Sequence, residues 1–264
     1  MGARPRHWRR WLLIGGAIVL ALVAGAAAFL YWPRPPTAIS EQDALQSFRD
    51  QGSSAAGTIG PAAGVYSYDA DGTEKISIGP LPLPTRDIPS TVTDVIRPTD
   101  ASCWTSTLTL MGEHTETTTW CGSSDGGLVL RGQEKRETVP GFQVGAVTTC
   151  DPGTIIASGP TTDGADIRCT LVMDVSGLKL TVDLAGTSTV EPGGDVEVGG
   201  TTVATRHVVV TLAATGDLAG HWDEEYWLTD AFLPVKVGRD VLLDGPGRFD
   251  EKTTLTLRSL SPQT

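Results

Sequence analysis

Three of the four histidines, His114, His207 and His221, lie beyond the first 32 residues of the chain. Histidine performs acid–base chemistry near neutral pH more often than any other side chain, yet none of the three lies in a recognisable nucleophile motif. His221 begins the string HWDEEYW, in which His221, Asp223 and Glu225 would share one strand face and could supply metal ligands. A solvated strand edge is the simpler interpretation, and His114 is expected in a hairpin tip. We therefore expect no enzymatic activity, no cofactor and no metal.

Four cysteines, Cys103, Cys121, Cys150 and Cys169, predict two disulfides in an oxidising compartment. Three connectivities are possible. The string CWTSTLTLMGEHTETTTWC is nearly symmetric about Gly112, and a hairpin centred there places Cys103 opposite Cys121. The sequence therefore favours Cys103–Cys121 and Cys150–Cys169. The spacings lack the C-x-x-C pairs that are typical of zinc sites.

Aromatic side chains beyond residue 32 could line an apolar ligand cavity, a common use of barrel mouths. The candidates are Tyr66, Trp104, Trp120, Trp222 and Trp227. Ordinary core packing is the simpler alternative. The two interpretations differ in whether the interior of the domain is filled.

The first 32 residues predict where the rest of the chain lies. A basic head over residues 1–10 is followed by an uncharged apolar run, Trp11 to Trp32. As a helix this run would be about 33 Å long, enough to span a bilayer. The positive-inside rule places the head in the cytoplasm and the rest outside, as a single-pass cell-membrane protein. A cleaved signal peptide ending near Ala28 is the alternative, but aromatic residues at both ends of the run favour an uncleaved anchor.

The part of the chain after the anchor is strongly acidic. All 31 acidic residues lie there, whereas four of the 20 basic residues belong to the head, so residues 33–264 carry a formal charge of −15. Nucleic acid is therefore not an expected partner, since phosphate binding requires basic surface.

Residues 33–63 are predicted to be a linker with a short helix over 41–51. Ser40 is a natural N-cap and Gly52 a stop signal. The string GSSAAGTIGPAAG that follows is typical of a flexible tether.

Residues 64–264 predict an all-β extracytoplasmic domain made of short alternating runs. We expect strands near 64–69, 74–79, 91–97, 103–111, 114–121, 127–138, 142–149, 168–175, 178–190, 195–198, 201–213, 222–229, 233–238 and 249–258. Hairpin turns are expected at 70–72, 176–177 and 199–200. No helix of crossover length separates the strands, so the sheet should be antiparallel.

The alternation also predicts one apolar sheet face. In LKLTVDL, for example, the alternation points one set of residues toward the apolar face, Leu178, Leu180, Val182 and Leu184, and the other set away from it, Lys179, Thr181 and Asp183. Such a sheet must bury that face, and we favour a single curved sheet, a half-barrel or nearly closed barrel, over a two-sheet sandwich.

Several strings resemble those of an uncharacterised family of actinobacterial single-pass membrane proteins. They are GVYSYDADGTEKISI, the IPSTVT run, the CW and TTTWC pair, EYWLTDAFLPVKV and the ending LTLRSLSPQT. The resemblance covers nearly the whole chain and implies an external β-rich domain without an assigned reaction. More distantly, the strand pattern is similar to the half-barrels of bacterial lipoprotein and lipid carriers, which is an analogy of fold alone.

Two functional hypotheses follow from these features. The first is a non-enzymatic, membrane-anchored domain whose curved sheet binds a lipid or another apolar or amphiphilic envelope molecule. The alternative is an interaction or scaffold module of the cell envelope that contacts a protein partner or a wall polymer.

Overall fold

The computed structural model describes residues 36–52, 59–79, 81–139, 142–157 and 164–264, together with Gly25. Among these residues no helix is long and apolar enough to cross a bilayer. Apart from Gly25, the predicted basic head and spanning segment, residues 1–32, lie outside the described part of the chain.

Fourteen strands in the described residues form one antiparallel sheet, and the alternating pattern determines which of their side chains point inward. Their bounds are β1 Gly64–Ile78, β2 Leu81–Pro82, β3 Arg86–Asp87, β4 Thr91–Pro98, β5 Cys103–Met111, β6 His114–Gly122, β7 Leu128–Val139, β8 Phe142–Ile156, β9 Ala165–Val175, β10 Leu178–Val198, β11 Thr201–Gly216, β12 Ala219–Leu228, β13 Pro234–Asp244 and β14 Gly247–Leu257. The predicted alternation in β10 is confirmed, with Val182 fully buried and Lys179 and Asp183 exposed.

The sheet closes into a barrel because its first strand pairs with its last. Strands β4 to β14 follow one another in chain order, and β1 pairs with β4 on one side and with β14 on the other, so twelve strands form the ring. The short β2 and β3 pair with the second half of β1. The prediction of a mainly β, antiparallel, curved sheet is confirmed, and the curvature is complete.

The predicted turn at residues 70–72 is wrong, because β1 runs straight through it. Asp71 and Gly72 pair with Thr254 and Thr253 of β14. A Cβ on Gly72 would lie 2.2 Å from the carbonyl oxygen of Lys252, so this glycine permits close strand approach rather than a turn. The Ala70–Asp71–Gly72 string looks the same in the sequence whether it forms a turn or part of a continuous strand. Pairing with β14, far along the chain, decides that it forms a strand.

Other strand bounds also differ from the prediction: β8 continues to Ile156 instead of ending at 149, and the short β2 and β3 were not predicted. The expected strands 178–190 and 195–198 are one strand, β10, with an irregularity between Pro192 and Gly194. The hairpin between β13 and β14 was not predicted, since β13 continues to Asp244. The turns at 176–177 and 199–200 are confirmed, and all four of their residues have positive φ, as type I′ hairpin turns require.

The predicted short helix, α1, spans Glu41–Asp50, and the Ser40 hydroxyl caps it by accepting a hydrogen bond of 3.1 Å from the Asp43 amide. Its buried side chains, Ala44 and Phe48, pack on Val65 of β1. Val65 points outward, because the next residue of the strand faces the barrel core. The helix therefore lies outside the barrel and does not fill it.

One end of the barrel is closed by the far half of the β10–β11 hairpin. Val198, at the tip of this hairpin, belongs to the same core as Phe232. The guanidinium of Arg206 lies 5.2 Å from the Phe232 ring centroid and donates to the Gly126 carbonyl. At the tip, a Cβ on Gly199 would lie 2.9 Å from the Arg258 carbonyl oxygen, just past the end of β14.

The opposite end of the barrel carries the turns β5–β6, β7–β8, β9–β10, β11–β12 and β13–β14. We call it the open end. It contains the cavity that is described in the next section.

Both disulfides have the predicted connectivity, Cys103–Cys121 and Cys150–Cys169. In each case the two cysteines lie directly opposite each other on neighbouring strands. Each bridge closes a loop that is worth about 3 kcal/mol in the chain-entropy model.

The close approach of β10 and β11 generates a stability prediction. A Cβ on Gly186 would lie 1.9 Å from the carbonyl oxygen of Thr211, so Gly186→Ala must displace one strand. We expect it to lower the free energy of unfolding by about 1–3 kcal/mol, the usual cost of overpacking. Gly145→Ala is the matched control, because a Cβ there has no neighbour within 4 Å. Thermal unfolding followed by circular dichroism checks both variants, and equal melting temperatures would contradict the predicted strand contact.

Candidate functional site

The most unusual feature of the interior is a group of buried charges, which we call the interior charge cluster. They come from seven strands whose inward positions meet in the middle of the barrel. The cluster consists of Glu74, Arg86, His114, Glu116, Lys135, Glu137, Glu224, Arg239 and Glu251. Sequence reasoning missed it, although the inward alternation of His114 with Glu116 in EHTETTTWC is visible in the sequence. His114 lies at the tip of the β5–β6 hairpin as expected, where it pairs with Met111, but its side chain points inward and is fully buried.

His114 lies between two carboxylates. Its Nδ1 is 2.8 Å from Oε2 of Glu74 and its Nε2 is 2.9 Å from Oε1 of Glu116. Burial and the nearby ammonium of Lys135 lower the pKa of His114, but the two carboxylates outweigh them and the net shift is upward. Because both ring nitrogens face an acceptor, the geometry favours the doubly protonated imidazolium.

Three permanently charged side chains, Arg239, Lys135 and Arg86, also contact the carboxylates of the cluster. Arg239 contacts three of them: its Nη1 lies 2.7 Å from Glu116 and 3.1 Å from Glu251, and its Nε lies 2.9 Å from Glu224. Lys135 Nζ lies 3.2 Å from Glu251. Burial raises the pKa of Glu116, but the charge of Arg239 and its other cationic neighbours hold it well below the usual range.

Arg86 joins the other side of the cluster, since its guanidinium contacts both Glu74 and Glu137. Five carboxylates thus face three fixed cations and one imidazolium. The charges nearly balance, as they must in a closed interior, where an unpaired charge costs several kcal/mol.

The cluster contains residue types that can bind a metal ion. In the described residues, donor atoms lie within 4.8 Å of one another in two groups, Glu74–His114–Glu137 and His114–Glu116–Glu251. However, protein cations already contact the carboxylates of both groups. We therefore assign the interior charge cluster a structural role: it fixes which strands face one another across the barrel.

Asp94 is a buried carboxyl outside the interior charge cluster, and it forms no ion pair with any cation in the described part of the chain. The Ser106 hydroxyl lies 2.8 Å from both of its oxygens. Burial raises the pKa of Asp94 to about 6, against the smaller lowering effect of the Ser106 hydrogen bond. The pKa of the neighbouring Tyr66 rises to about 12, because burial and the Asp94 charge both disfavour the phenolate.

The open end of the barrel contains a cavity of about 110 Å³, which we call the mouth cavity. Its walls are mostly apolar and include residues of β8, β9, β10 and β12, namely Val144, Ala146, Leu171, Met173, Leu180 and Trp222. Its floor reaches Lys135 and Glu137 of the interior charge cluster, and Leu178, Leu218 and Phe249 lie at its rim. The ammonium of Lys135 lies 3.8 Å from the ring centroid of Phe249.

The five predicted cavity aromatics do not share one cavity, although Trp104 and Trp120 lie directly opposite each other and line one void of about 20 Å³. Of the five, Trp222 lines the mouth cavity. Trp104 stacks on Phe232 near the closed end, Trp120 lies edge-on to Tyr226, and the Tyr66 hydroxyl donates to the Ala62 carbonyl. Trp227 points outward, where it stacks on His207 at 4.3 Å.

His221, Asp223 and Glu225 lie on the outer face of β12, but they do not form a ligand group. His221 Nε2 lies 3.4 Å from Asp240 Oδ1, and Glu225 contacts His207 at 3.2 Å. Of the described residues, the two donor groups that are close enough to share an ion both lie in the interior charge cluster.

Comparisons of the chain with models of protein families, with curated proteins and with solved structures give no match. The resemblance to actinobacterial single-pass membrane proteins stays a prediction. The mouth cavity is the feature whose geometry bears most directly on function.

The central place of Arg239 in the interior charge cluster predicts a large stability effect. Arg239→Met leaves Glu116, Glu224 and Glu251 with fewer cations, and we expect the free energy of unfolding to fall by about 3–5 kcal/mol. Arg248→Met is the control, because Arg248 is half exposed and its ion pairs with Asp244 and Asp250 should be worth at most about 1 kcal/mol. Urea unfolding of both variants measures the difference, and a small cost for Arg239→Met would contradict the assigned role.

The raised pKa of Asp94 predicts a pH-dependent stability. Between about pH 4 and pH 6 the folded protein holds a proton that the unfolded chain has released, so its stability falls as the pH rises through this window. A shift from 3.8 to about 6 corresponds to roughly 3 kcal/mol at neutral pH. Asp94→Asn should remove this contribution, so the difference in unfolding free energy between variant and wild type should grow in favour of the variant from pH 4 to pH 7. A constant difference across this range would show that Asp94 does not titrate there.

Proposed function

We propose that the protein is a membrane-anchored, extracytoplasmic binding protein whose barrel takes up the apolar end of an amphiphilic envelope molecule. The observation that carries this proposal is the mouth cavity: an apolar space of about 110 Å³ at the one end of the barrel that the β10–β11 hairpin does not cover. It is non-enzymatic in this proposal, since the ionisable groups of the interior charge cluster are already paired with one another.

The compartment is supported by two independent features. All four cysteines are in disulfides, which persist in oxidising environments outside the cytoplasm. The arrangement of the basic head and the apolar run from Trp11 to Trp32 is the pattern of a signal anchor that exports the following chain.

The size of the mouth cavity limits what can enter it. An engineered apolar cavity of about 150 Å³ holds one benzene molecule, so about 110 Å³ holds only the terminal part of a hydrocarbon chain. The polar part of the ligand would then remain outside the rim. This limit favours an amphiphile that inserts its tail over a carrier that encloses a whole lipid.

A second candidate function rests on the outer surface. A shallow groove of about 660 Å³ crosses β12, β13, β14 and β1, and it contains Asp223, Glu225 and Trp227 beside Gly238. Glu225 is exposed, whereas Asp223 and Trp227 are half-buried and the Lys236 ammonium lies 4.3 Å from the Trp227 ring centroid. This mixed polar and aromatic surface suits a protein partner or a wall polymer. Trp227→Ala would remove the ring, and loss of a crosslinked envelope partner in cells, with tail binding retained, would favour this scaffold function.

The mouth cavity predicts binding of straight-chain alcohols that carry a terminal bromine, because bromine quenches a tryptophan that it contacts. With the full chain in lipid nanodiscs, we expect the brominated alcohol to quench part of the tryptophan fluorescence. This quenched part should be absent in Trp222→Phe, since Trp222 lines the cavity. Ala146→Phe fills the cavity and should weaken the binding that causes this quenching about tenfold or more, equivalent to at least about 1.4 kcal/mol.

The matched control is Ala204→Phe, which adds the same ring at an exposed position of β11. It should leave the quenching unchanged. Quenching that is the same in the wild type, in Trp222→Phe and in Ala146→Phe would reject tail binding in the mouth cavity.

A further inference from the structure

The described chain enters the domain at the open end of the barrel. Thr37 is held on the β5–β6 turn: its carbonyl accepts from the Gly112 amide at 2.6 Å, and its own amide and hydroxyl donate to the Glu113 carboxylate at 3.1 and 2.8 Å. This turn lies at the same end as the mouth cavity. From Thr37 the chain continues into α1, whose last turn lies near the beginning of β1 at the closed end, where Arg97 donates to the Phe48 carbonyl.

The distance between this entry point and the predicted anchor is short. The apolar run ends at Trp32, so four residues separate it from Thr37, and the five Cα–Cα steps from Trp32 to Thr37 can span at most about 18 Å. Strand β9, by comparison, is about 33 Å long, or about 25 Å along the barrel axis at the usual tilt. The segment between Trp32 and Thr37 is therefore too short for the closed end of the barrel to lie against the membrane, whereas the open end can reach it.

The large apolar side chains that are exposed in the described residues lie at the open end of the barrel or close to it. They are Leu178, Val172 and Val147, which are 57%, 40% and 50% exposed. Leu178 directly follows the β9–β10 turn at the open end. Val172 and Val147 are a directly opposed pair on the outer surface, and Val172 is only three residues, about 10 Å, from the end of its strand. Apolar groups that lie in the membrane interface are buried to about 5–10 Å.

We propose that the open end of the barrel rests on the outer leaflet of the membrane that carries the anchor, with the β9–β10 turn in the interface. The partner of this surface is the bilayer itself, and the mouth cavity then takes hydrocarbon chains directly from the leaflet without passage through water. This inference rests on the proposed function for the anchor and for the cavity, and it adds the orientation and the source of the ligand.

The disulfides make the orientation measurable. All four native cysteines are bonded, so Leu178→Cys in the full chain provides a unique site for a nitroxide label. In phosphatidylcholine liposomes we expect the label to relax faster with oxygen, which concentrates in the bilayer, than with a water-soluble nickel complex. The control is Thr201→Cys, which places the label at an exposed position of the β10–β11 turn at the closed end and should show the opposite preference.

Three results would overturn the inference: preference for the nickel complex at both sites, preference for oxygen at Thr201→Cys, or failure of the chain to float with the liposomes. Spin–spin broadening at Leu178→Cys would also overturn it, because a second copy of the chain would then cover the rim. Adding Ala146→Phe to the labelled chain should weaken the bromine quenching and leave the oxygen preference unchanged. The two readouts separate the two proposals when they are compared in chains with the native Ala146. If the oxygen preference is present but bromine quenching is absent, tail binding fails and the orientation stands; if quenching is present without the oxygen preference, the orientation fails.

Discussion

The pairing of β1 with β14 is the interaction on which the rest of the structure depends. Eleven residue pairs, from Tyr68–Leu257 to Ile78–Gly247, join the first long strand to the last. Without this ladder the sheet has two edges and one solvated concave face. With it, the same side chains surround a closed interior, in which every charge needs a partner and every void is isolated from solvent except at the ends.

Closure explains why the interior contains so many charges in such a regular arrangement. Glu74 of β1 and Glu251 of β14 lie directly opposite each other in the closing ladder, and two like charges there would repel. His114 and Arg86 contact Glu74, whereas Lys135 and Arg239 contact Glu251. Cations from β3, β6, β7 and β13 therefore stabilise the ladder, so the interior charge cluster links the closure of the barrel to the position of these other strands. A shift of β14 by one residue would turn Glu251 outward and leave Arg239 with fewer partners.

The two ends of the barrel differ for a physical reason that also bears on function. At one end the β10–β11 hairpin is longer than its neighbours and covers the core with Val198 and its other apolar residues. At the other end the hairpins stop at short turns, and the space between Leu171, Met173 and Trp222 is not filled. The chain leaves toward its predicted anchor from this second end, through Thr37. The cavity, the exposed hairpin tip and the chain entry at Thr37 thus lie at one end, and this coincidence supports the proposal of a membrane-facing binding site.

The sequence by itself determined the local features of this protein. Alternation in LKLTVDL set the inward and outward faces of β10, Ser40 set the start of α1, the positive-φ turns at Ser176–Gly177 and Gly199–Gly200 set two hairpins, and the symmetry about Gly112 set the Cys103–Cys121 pair. Each depends on residues that are close in sequence, so their physics is visible in one short string.

The tertiary structure decided the continuity of β1 through Asp71 and Gly72, the closure of the sheet, the placing of α1 outside it, and the meeting of Glu74, His114, Glu116 and Arg239. These depend on which strand lies across the barrel from which, and the strands concerned are separated by up to about 190 residues. A glutamate at an inward position has the same alternation pattern whether or not a cation faces it, and only the closed ring brings the two together.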